Sequence, residues 1–97
     1  MKVSPLHEEV LDLRHKIHIM NAENFIKAKN EHLALISQID TKKNCMTNET
    51  KEKVEAIRRK GIYYSVRGGN NFVRYTHSIN ELNNGLRRIL ACQQTND

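Results

Sequence analysis

The 97-residue sequence has no tryptophan, one proline, four glycines and only five aromatic residues of the Phe and Tyr types. Hydrophobic residues make up 38% of the chain. A chain of this length buries only about 60–65% of the surface that it exposes when unfolded. We therefore expect a single domain over residues 1–97 with a modest core, and association of copies is one way to complete that core.

Long apolar runs are also missing. No stretch approaches the ~18 apolar residues that a membrane-spanning helix requires, and MKVSPLHEE at the N-terminus has no apolar segment typical of a signal peptide. The two cysteines, Cys45 and Cys92, match no Cys-x-x-Cys spacing. The sequence therefore predicts a cytoplasmic protein with reduced thiols and no membrane partner.

Motifs for catalysis, metals and cofactors are absent from the sequence. It contains no Gly-x-Ser-x-Gly, no P-loop, no Gly-x-Gly-x-x-Gly and no His-Glu-x-x-His. His7, His15 and His18 share one side of a predicted helix, but half-exposed histidines beside an apolar stripe are ordinary. We therefore predict neither an enzyme, nor a cofactor, nor a metal site.

The positive charge is unevenly distributed. Residues 1–40 hold five Lys or Arg against six Asp or Glu, whereas residues 41–97 hold eleven against five. Such an excess favours a polyanionic partner or a charged, soluble surface. Nucleic acid is the first hypothesis, and an acidic surface on another protein is the alternative.

The first 40 residues predict two amphipathic helices, 6–19 and 22–39, and one long helix interrupted at Asn21 is the alternative. The first has a narrow apolar stripe, similar to a coiled-coil seam, consisting of Leu6, Val10, Leu13, Ile17 and Met20. This stripe either packs on its own domain or forms a dimer seam, and the last helix is a second candidate for dimerisation. Residues 21–24 break the stripe's phase, and the apolar positions of 22–39 then cover about half of that helix, which suits contact with two neighbours.

Residues 48–76 have the most specific local pattern. Thr47 or Asn48 caps a basic helix over 48–60, which Gly61 ends. Alternating residues then predict a β-hairpin with strands 62–66 and 72–76 around a glycine-rich tip. The capping box Ser78-Ile79-Asn80-Glu81 starts a C-terminal helix over 79–92. The apolar stripe of this helix consists of Ile79, Leu82, Leu86, Ile89 and Leu90. The predicted fold is α+β and mostly helical, with three N-terminal helices (helical 1–60), one wing-like hairpin (62–76) and one C-terminal helix.

The segment IRRKGIYYSVRGGNNFVRYT resembles the end of the recognition helix and the wing of a winged helix-turn-helix domain. The resemblance implies that the helix enters the major groove of DNA and that the wing contacts the backbone or the minor groove. In that arrangement Asn48, Thr50 and Glu55 face the DNA from the helix, together with Lys51 and Lys53. A weaker likeness is to the arm-binding domains of phage integrases, in which a sheet followed by a helix reads the groove.

These observations predict a small DNA-binding protein, a transcriptional regulator that binds double-stranded DNA through a basic helix and a wing. Arginine and lysine neutralise phosphates, and aromatic rings stack on bases. The predicted nucleic-acid-binding residues are Lys51, Lys53, Arg58, Arg59, Tyr63, Arg67, Asn70, Asn71, Phe72 and Arg74. The alternative function is a phage- or plasmid-type small protein that binds and inhibits or adapts another protein through its basic face.

Overall fold

A computed structural model of the chain describes the backbone of residues 5–95 and the side chains of residues 8–92. The elements are α1 (Pro5–Thr41), a 3₁₀ turn (Lys43–Cys45), α2 (Asn48–Arg67), a second 3₁₀ turn (Gly68–Asn70) and α3 (Phe72–Thr95). Within residues 5–95 there is no strand. The predicted α+β class with a β-hairpin is therefore wrong, and the described part of the chain is an up-down-up arrangement of three helices.

The first helix runs without interruption where two helices are predicted. Residues 6–19 and 22–39 both belong to α1, and residues 21–24 continue it. Since none of these four residues is proline or glycine, nothing in the backbone breaks the helix there. The change of apolar phase marks the point where α1 enters the bundle and meets two neighbouring helices.

The second helix begins as predicted and ends later. Thr47 is its N-cap, because its hydroxyl accepts the backbone N–H of Thr50 at 3.2 Å. Gly61 does not end the helix but lies buried within it, where a Cβ atom would overlap the imidazole of His32 on α1. Gly68, seven residues later and also buried, is closed in by the ring of Phe25 in the same way. The two glycines therefore let α1 and α2 approach closely.

The predicted hairpin is the end of α2, a tight turn and the start of α3. Residues 62–66 complete α2 and residues 72–76 open α3. Asn71 has an extended backbone, and its Oδ1 accepts the backbone N–H of Arg74 at 3.1 Å, which caps α3. The predicted capping box is wrong, because Ser78 lies inside α3 and its hydroxyl donates to the carbonyl of Arg74.

The core lies along α3, which packs on both other helices and most extensively on α1. Its apolar residues form two clusters at the two ends of the bundle. The upper cluster consists of Leu35, Ile39, Met46, Val54, Leu86 and Leu90, and the lower one of Phe25, Ala28 and Ile79 with Tyr64, Phe72 and Tyr75 packed against it. The predicted apolar stripe of the C-terminal helix, which includes Ile79, Leu86 and Leu90, is confirmed as core.

A buried polar pair lies between the two clusters. Asn83 donates from Nδ2 to the carbonyl of Ala28 at 3.2 Å, and its Oδ1 lies 2.9 Å from Nδ1 of His32. Since that oxygen can only accept, Nδ1 of His32 is the donor of this hydrogen bond, and Nε2 faces Gly61. Buried polar groups are costly unless they are paired, so this pair fixes the register of α1 against α3.

The molecule is a rod with principal extents of 68 × 22 × 15 Å. The bundle occupies one end, and α1 extends beyond it at the other, where every side chain from residue 8 to residue 20 is exposed. No helix of the described chain is long and apolar enough to cross a membrane. The segment 5–18 of α1, called the arm below, is the part of α1 that projects beyond the bundle.

Candidate functional site

A groove of about 380 Å³ lies between α1 and α2. One wall is formed by Lys29, Leu33 and Ile36 of α1. The opposite wall is formed by Arg58, Ile62 and Val66 of α2, which follow one another at intervals of four residues. His32, Gly61 and Ser65 form the floor. Residues three and four apart share one face of a helix, so each wall is a single helical row.

The walls of the groove are apolar and exposed. Leu33, Ile62 and Val66 have 64%, 62% and 80% of their side chains accessible to solvent. Single exposed apolar residues are normal on a protein surface, but a continuous apolar patch marks an interaction site. Three such residues around one concave surface therefore make the groove the candidate binding site.

The apolar row of α1 continues beyond the groove. Ile19, Ile26 and Leu33 are spaced by seven residues and are all exposed. Ala22 lies between Ile19 and Ile26 on the same row, and Ile36 follows Leu33. Since a helix rises 1.5 Å per residue, residues 19–36 offer an apolar seam of about 26 Å, the length of a helix of four to five turns.

The groove has a cation on each wall. Arg58 is already neutralised, because it donates to Asp40 at 2.7 Å and lies 3.7 Å from Glu55. The ammonium of Lys29 lies 5.3 Å from the centre of the Phe25 ring, a cation–π contact that leaves its charge uncompensated by an acid there. An acidic group on a bound partner would find Lys29 at the lower end of the groove.

Four of the predicted nucleic-acid-binding residues are exposed on α2. These are Lys53, Arg59, Tyr63 and Arg67, and the guanidinium of Arg67 lies 5.3 Å from the centre of the Tyr63 ring. Lys60 lies midway between Lys53 and Arg67, which gives a basic row spaced by seven residues. This basic row, Lys53–Lys60–Arg67, lies on an exposed surface of α2, and Lys53 at its upper end borders α3 beside Arg88 and Ile89.

The remaining predicted residues do not join that row. Arg58 lies in the groove with its acidic partners, Asn71 caps α3, and Phe72 packs against Phe25 with ring centres 5.5 Å apart. Arg74 lies over the ring of Tyr75 on α3. Lys51 is half-buried on another side of α2, and Asn70 is exposed in the second 3₁₀ turn. The predicted set therefore divides into four exposed residues of α2 and six residues elsewhere, of which Asn71 and Phe72 have structural contacts.

The sequence did not predict the groove itself. Ile62 and Val66 are assigned to the buried face of a strand by the alternation of 62–66, whereas in the helix they are exposed. The seven-residue spacing of Ile19, Ile26 and Leu33 is a signal that could have indicated a second seam on α1. Nothing local indicates that α2 forms the other wall, because that depends on how the helices pack.

In the part of the chain that the structure describes, no group of three or more His, Cys, Asp or Glu side chains is arranged to hold a metal ion. No protein-family model matches the sequence, and no significant match exists among the curated proteins or the solved structures. The function must therefore be inferred from the geometry of the groove and of the basic row.

Proposed function

We propose that this protein is a protein-binding module that accommodates an amphipathic helix of its partner in the groove between α1 and α2. The observation that carries the proposal is the exposure of Leu33, Ile62 and Val66 on facing walls of one groove. An amphipathic helix that lays its apolar face into such a groove is a recurring mode of recognition. The protein thus acts as an adaptor or inhibitor, and its apolar groove rather than its basic face provides the main contact.

The dimensions favour a helix over a small ligand as the occupant. The seam on α1 extends for about 26 Å, beyond the groove in the direction of Ile19, and a helix can follow it over its whole length. The bound helix would place apolar residues at positions i, i+3 or i+4, and i+7 against the seam. Such a helix would convert two exposed rows into a buried interface of four helices.

The charges specify the polar flank of the bound helix. Lys29 carries an uncompensated charge at the lower end of the groove, and α2 carries six cations against three anions. A partner helix with aspartate or glutamate beside its apolar stripe complements these charges. Electrostatic complementarity of this kind mainly raises the association rate and the specificity.

A display library of amphipathic helical peptides tests the proposal. Selection against the folded chain should enrich peptides with helical apolar spacing and acidic flanks. The substitution Val66→Gln should weaken their binding about tenfold or more, because it removes an apolar anchor from the wall of the groove. The matched control is Val73→Gln, which changes a valine on α3 that is 61% exposed but lies outside the groove.

Four outcomes contradict the proposal. The first three are that selection yields no helical peptide, that the selected peptides bind Val66→Gln as tightly as the natural chain, and that both valine substitutions weaken binding equally. In the fourth, a small apolar molecule binds in the groove and displaces no helical peptide from it.

Nucleic-acid binding is the second candidate function, and the basic row favours it. Lys53, Lys60 and Arg67 are exposed along about 21 Å of α2, and Tyr63 lies between them. Cations in such a row can neutralise phosphates without a wing. The hairpin that the winged arrangement requires is replaced by helix, so this candidate rests on the row alone.

A mobility-shift assay at two salt concentrations tests this second candidate. Affinity for duplex DNA should fall steeply as salt rises, and Lys53→Ala with Arg67→Ala should weaken binding to all sequences alike and lower the salt slope by about one per cation. Lys29→Ala, which removes a cation from the groove, is the control and should change little. DNA binding that is absent even at low salt excludes this function.

A further inference from the structure

The arm of α1 carries a second apolar stripe, which faces away from the seam of the groove. Val10, Leu13, Ile17 and Met20 follow one another at helical spacing, and all are exposed, from 38% for Val10 to 58% for Leu13. The side chain of Leu6, the first residue of the predicted stripe, lies outside the described residues. The stripe has no partner among the side chains from residue 8 to residue 92 that could bury it.

The stripe continues the face of α1 that contacts α3. Eighteen residues make five full turns of a helix, so residues eighteen apart point in the same direction. Val10 therefore lies below Ala28, and Ile17 below Leu35, which are both buried in the core. Leu13 lies below Glu31, which forms an ion pair with Arg87 of α3. The arm thus extends an established helix–helix interface beyond the point where α3 begins.

We infer that a second copy of this chain covers the stripe, and that the two arms pair in an antiparallel orientation. The position of α3 excludes a parallel pair. Phe72, the first residue of α3, contacts His18, their ring centres 5.4 Å apart, so α3 begins beside this part of α1 and packs along α1 above it. In a parallel pair each α3 would occupy the path of the other protomer's α1, whereas an antiparallel pair places the two bundles at opposite ends.

The same boundary sets the register of the pair. If each arm spans residues 5–18 and meets α3 of its partner there, residue 5 lies opposite residue 18 of the second copy. Val10 then lies opposite Leu13 of the second copy, and Leu13 opposite Val10. Each arm is about 20 Å long, so the contact consists of about four turns from each copy.

Charges beside the stripe fit this register. Glu9 and Lys16 each immediately precede a stripe residue and are seven apart, so they lie on the same flank of the arm. In an antiparallel pair this flank meets its own equivalent, and Glu9 of one copy lies beside Lys16 of the other, twice by symmetry. Lys16 also pairs with Asp12 of its own helix at 2.9 Å. A parallel pair would instead place Glu9 beside Arg14.

Sedimentation velocity over a range of concentrations tests the association. The natural chain should be dimeric, and Leu13→Asp should be monomeric at the same concentrations because it places charges at the centre of the stripe. Leu33→Asp is the matched control: it changes an equally exposed leucine of α1 in the groove and should leave the dimer intact. A chain that stays monomeric up to its solubility limit, or a Leu13→Asp dimer, overturns the inference.

Charge reversal tests the orientation. Glu9→Lys should raise the dimer dissociation constant about tenfold, because two attractive pairs become repulsive. The combination of Glu9→Lys with Lys16→Glu should restore it, since the pairs are then re-formed with exchanged signs. Failure of the double variant to restore the dimer overturns the antiparallel register. These variants leave the groove unchanged, so a failure here is distinguishable from a failure of the proposed function.

Discussion

At the scale of single residues, Gly61 in α2 and Gly68 at its C-terminal cap determine how the bundle packs. Gly61, inside the helix, costs roughly 1 kcal/mol in helix propensity relative to alanine. Both glycines are buried, against the rings of His32 and Phe25 on α1. The rings occupy the space where a side chain would lie, so the close approach of the helices offsets the loss in propensity.

Replacing these glycines should therefore destabilise the protein. Gly61→Ala and Gly68→Ala should each lower the free energy of unfolding by about 1–3 kcal/mol, because the added methyl group collides with a buried ring. Gly85→Ala is the control, since its Cβ would lie 3.6 Å from Ile57, an ordinary contact. We expect it to be stabilising by up to ~1 kcal/mol. Urea denaturation measures all three, and stabilisation by Gly61→Ala would contradict the packing described above.

The buried pair of His32 and Asn83 has a related role. It is the polar layer between the two apolar clusters, and it holds α1 and α3 in one register. The ring of His32 also forms part of the floor of the groove, beside Gly61, which has no side chain to cover it. One histidine thus links the packing of the core with the shape of the proposed binding site.

At the scale of elements, the segment 62–76 shows how local pattern and tertiary structure can disagree. Ile62, Tyr64 and Val66 alternate as a strand does, and β-branched and aromatic residues favour strands. In the helix, however, only Tyr64 turns inwards, where its ring lies 5.8 Å from that of Tyr75. Ile62 and Val66 turn outwards to the groove.

Two substitutions distinguish the helix from the hairpin. Tyr64→Ala should lower the free energy of unfolding by about 1–3 kcal/mol, because it removes a ring from the lower cluster. Val66→Gln should change it by less than about 0.5 kcal/mol, because Val66 is exposed. In a hairpin both residues would share the buried face and both changes would be costly. Thermal or urea denaturation gives the comparison. Equal losses in the free energy of unfolding would contradict the helical conformation of residues 62–67.

The sequence predicted those features that depend on local chemistry. The Thr47 cap and the core residues of the last helix follow from spacing and capping preferences alone. Gly61, by contrast, resembles a helix stop, and its buried contact with His32 depends on a residue 29 positions earlier. The groove could not be predicted for the same reason, since its walls belong to different helices. The basic row on α2 was predicted in part, because charged residues can be identified in the sequence without knowing how the helices pack.

At the scale of the whole molecule, the chain is far more extended than a compact domain of its size. Its radius of gyration is 18.6 Å, whereas a compact chain of this length has about 12–13 Å. The difference is due to the long α1, which carries two uncovered apolar rows on different faces. One row lines the groove in which we propose that a partner helix binds, and the other, on the arm, is the row that we propose a second copy of the chain covers.

This division predicts that the two surfaces act independently. A dimer formed through the arms leaves both grooves open at opposite ends of a long rod. One dimer could then hold two partner helices, which suits an adaptor that joins two copies of its target. The overall affinity of such a dimer would rise through multivalency only if the target itself has two linked helices.

The most direct test of the central claim is a nuclear magnetic resonance titration of the isotope-labelled chain with a helical peptide selected as described above. We predict that backbone amide shifts change along residues 29–36 and 58–66, that Val66→Gln abolishes these changes, and that Val73→Gln preserves them. Changes in amide shift that map instead to the basic row Lys53–Lys60–Arg67, or that are the same in Val66→Gln, would contradict a helix-binding groove.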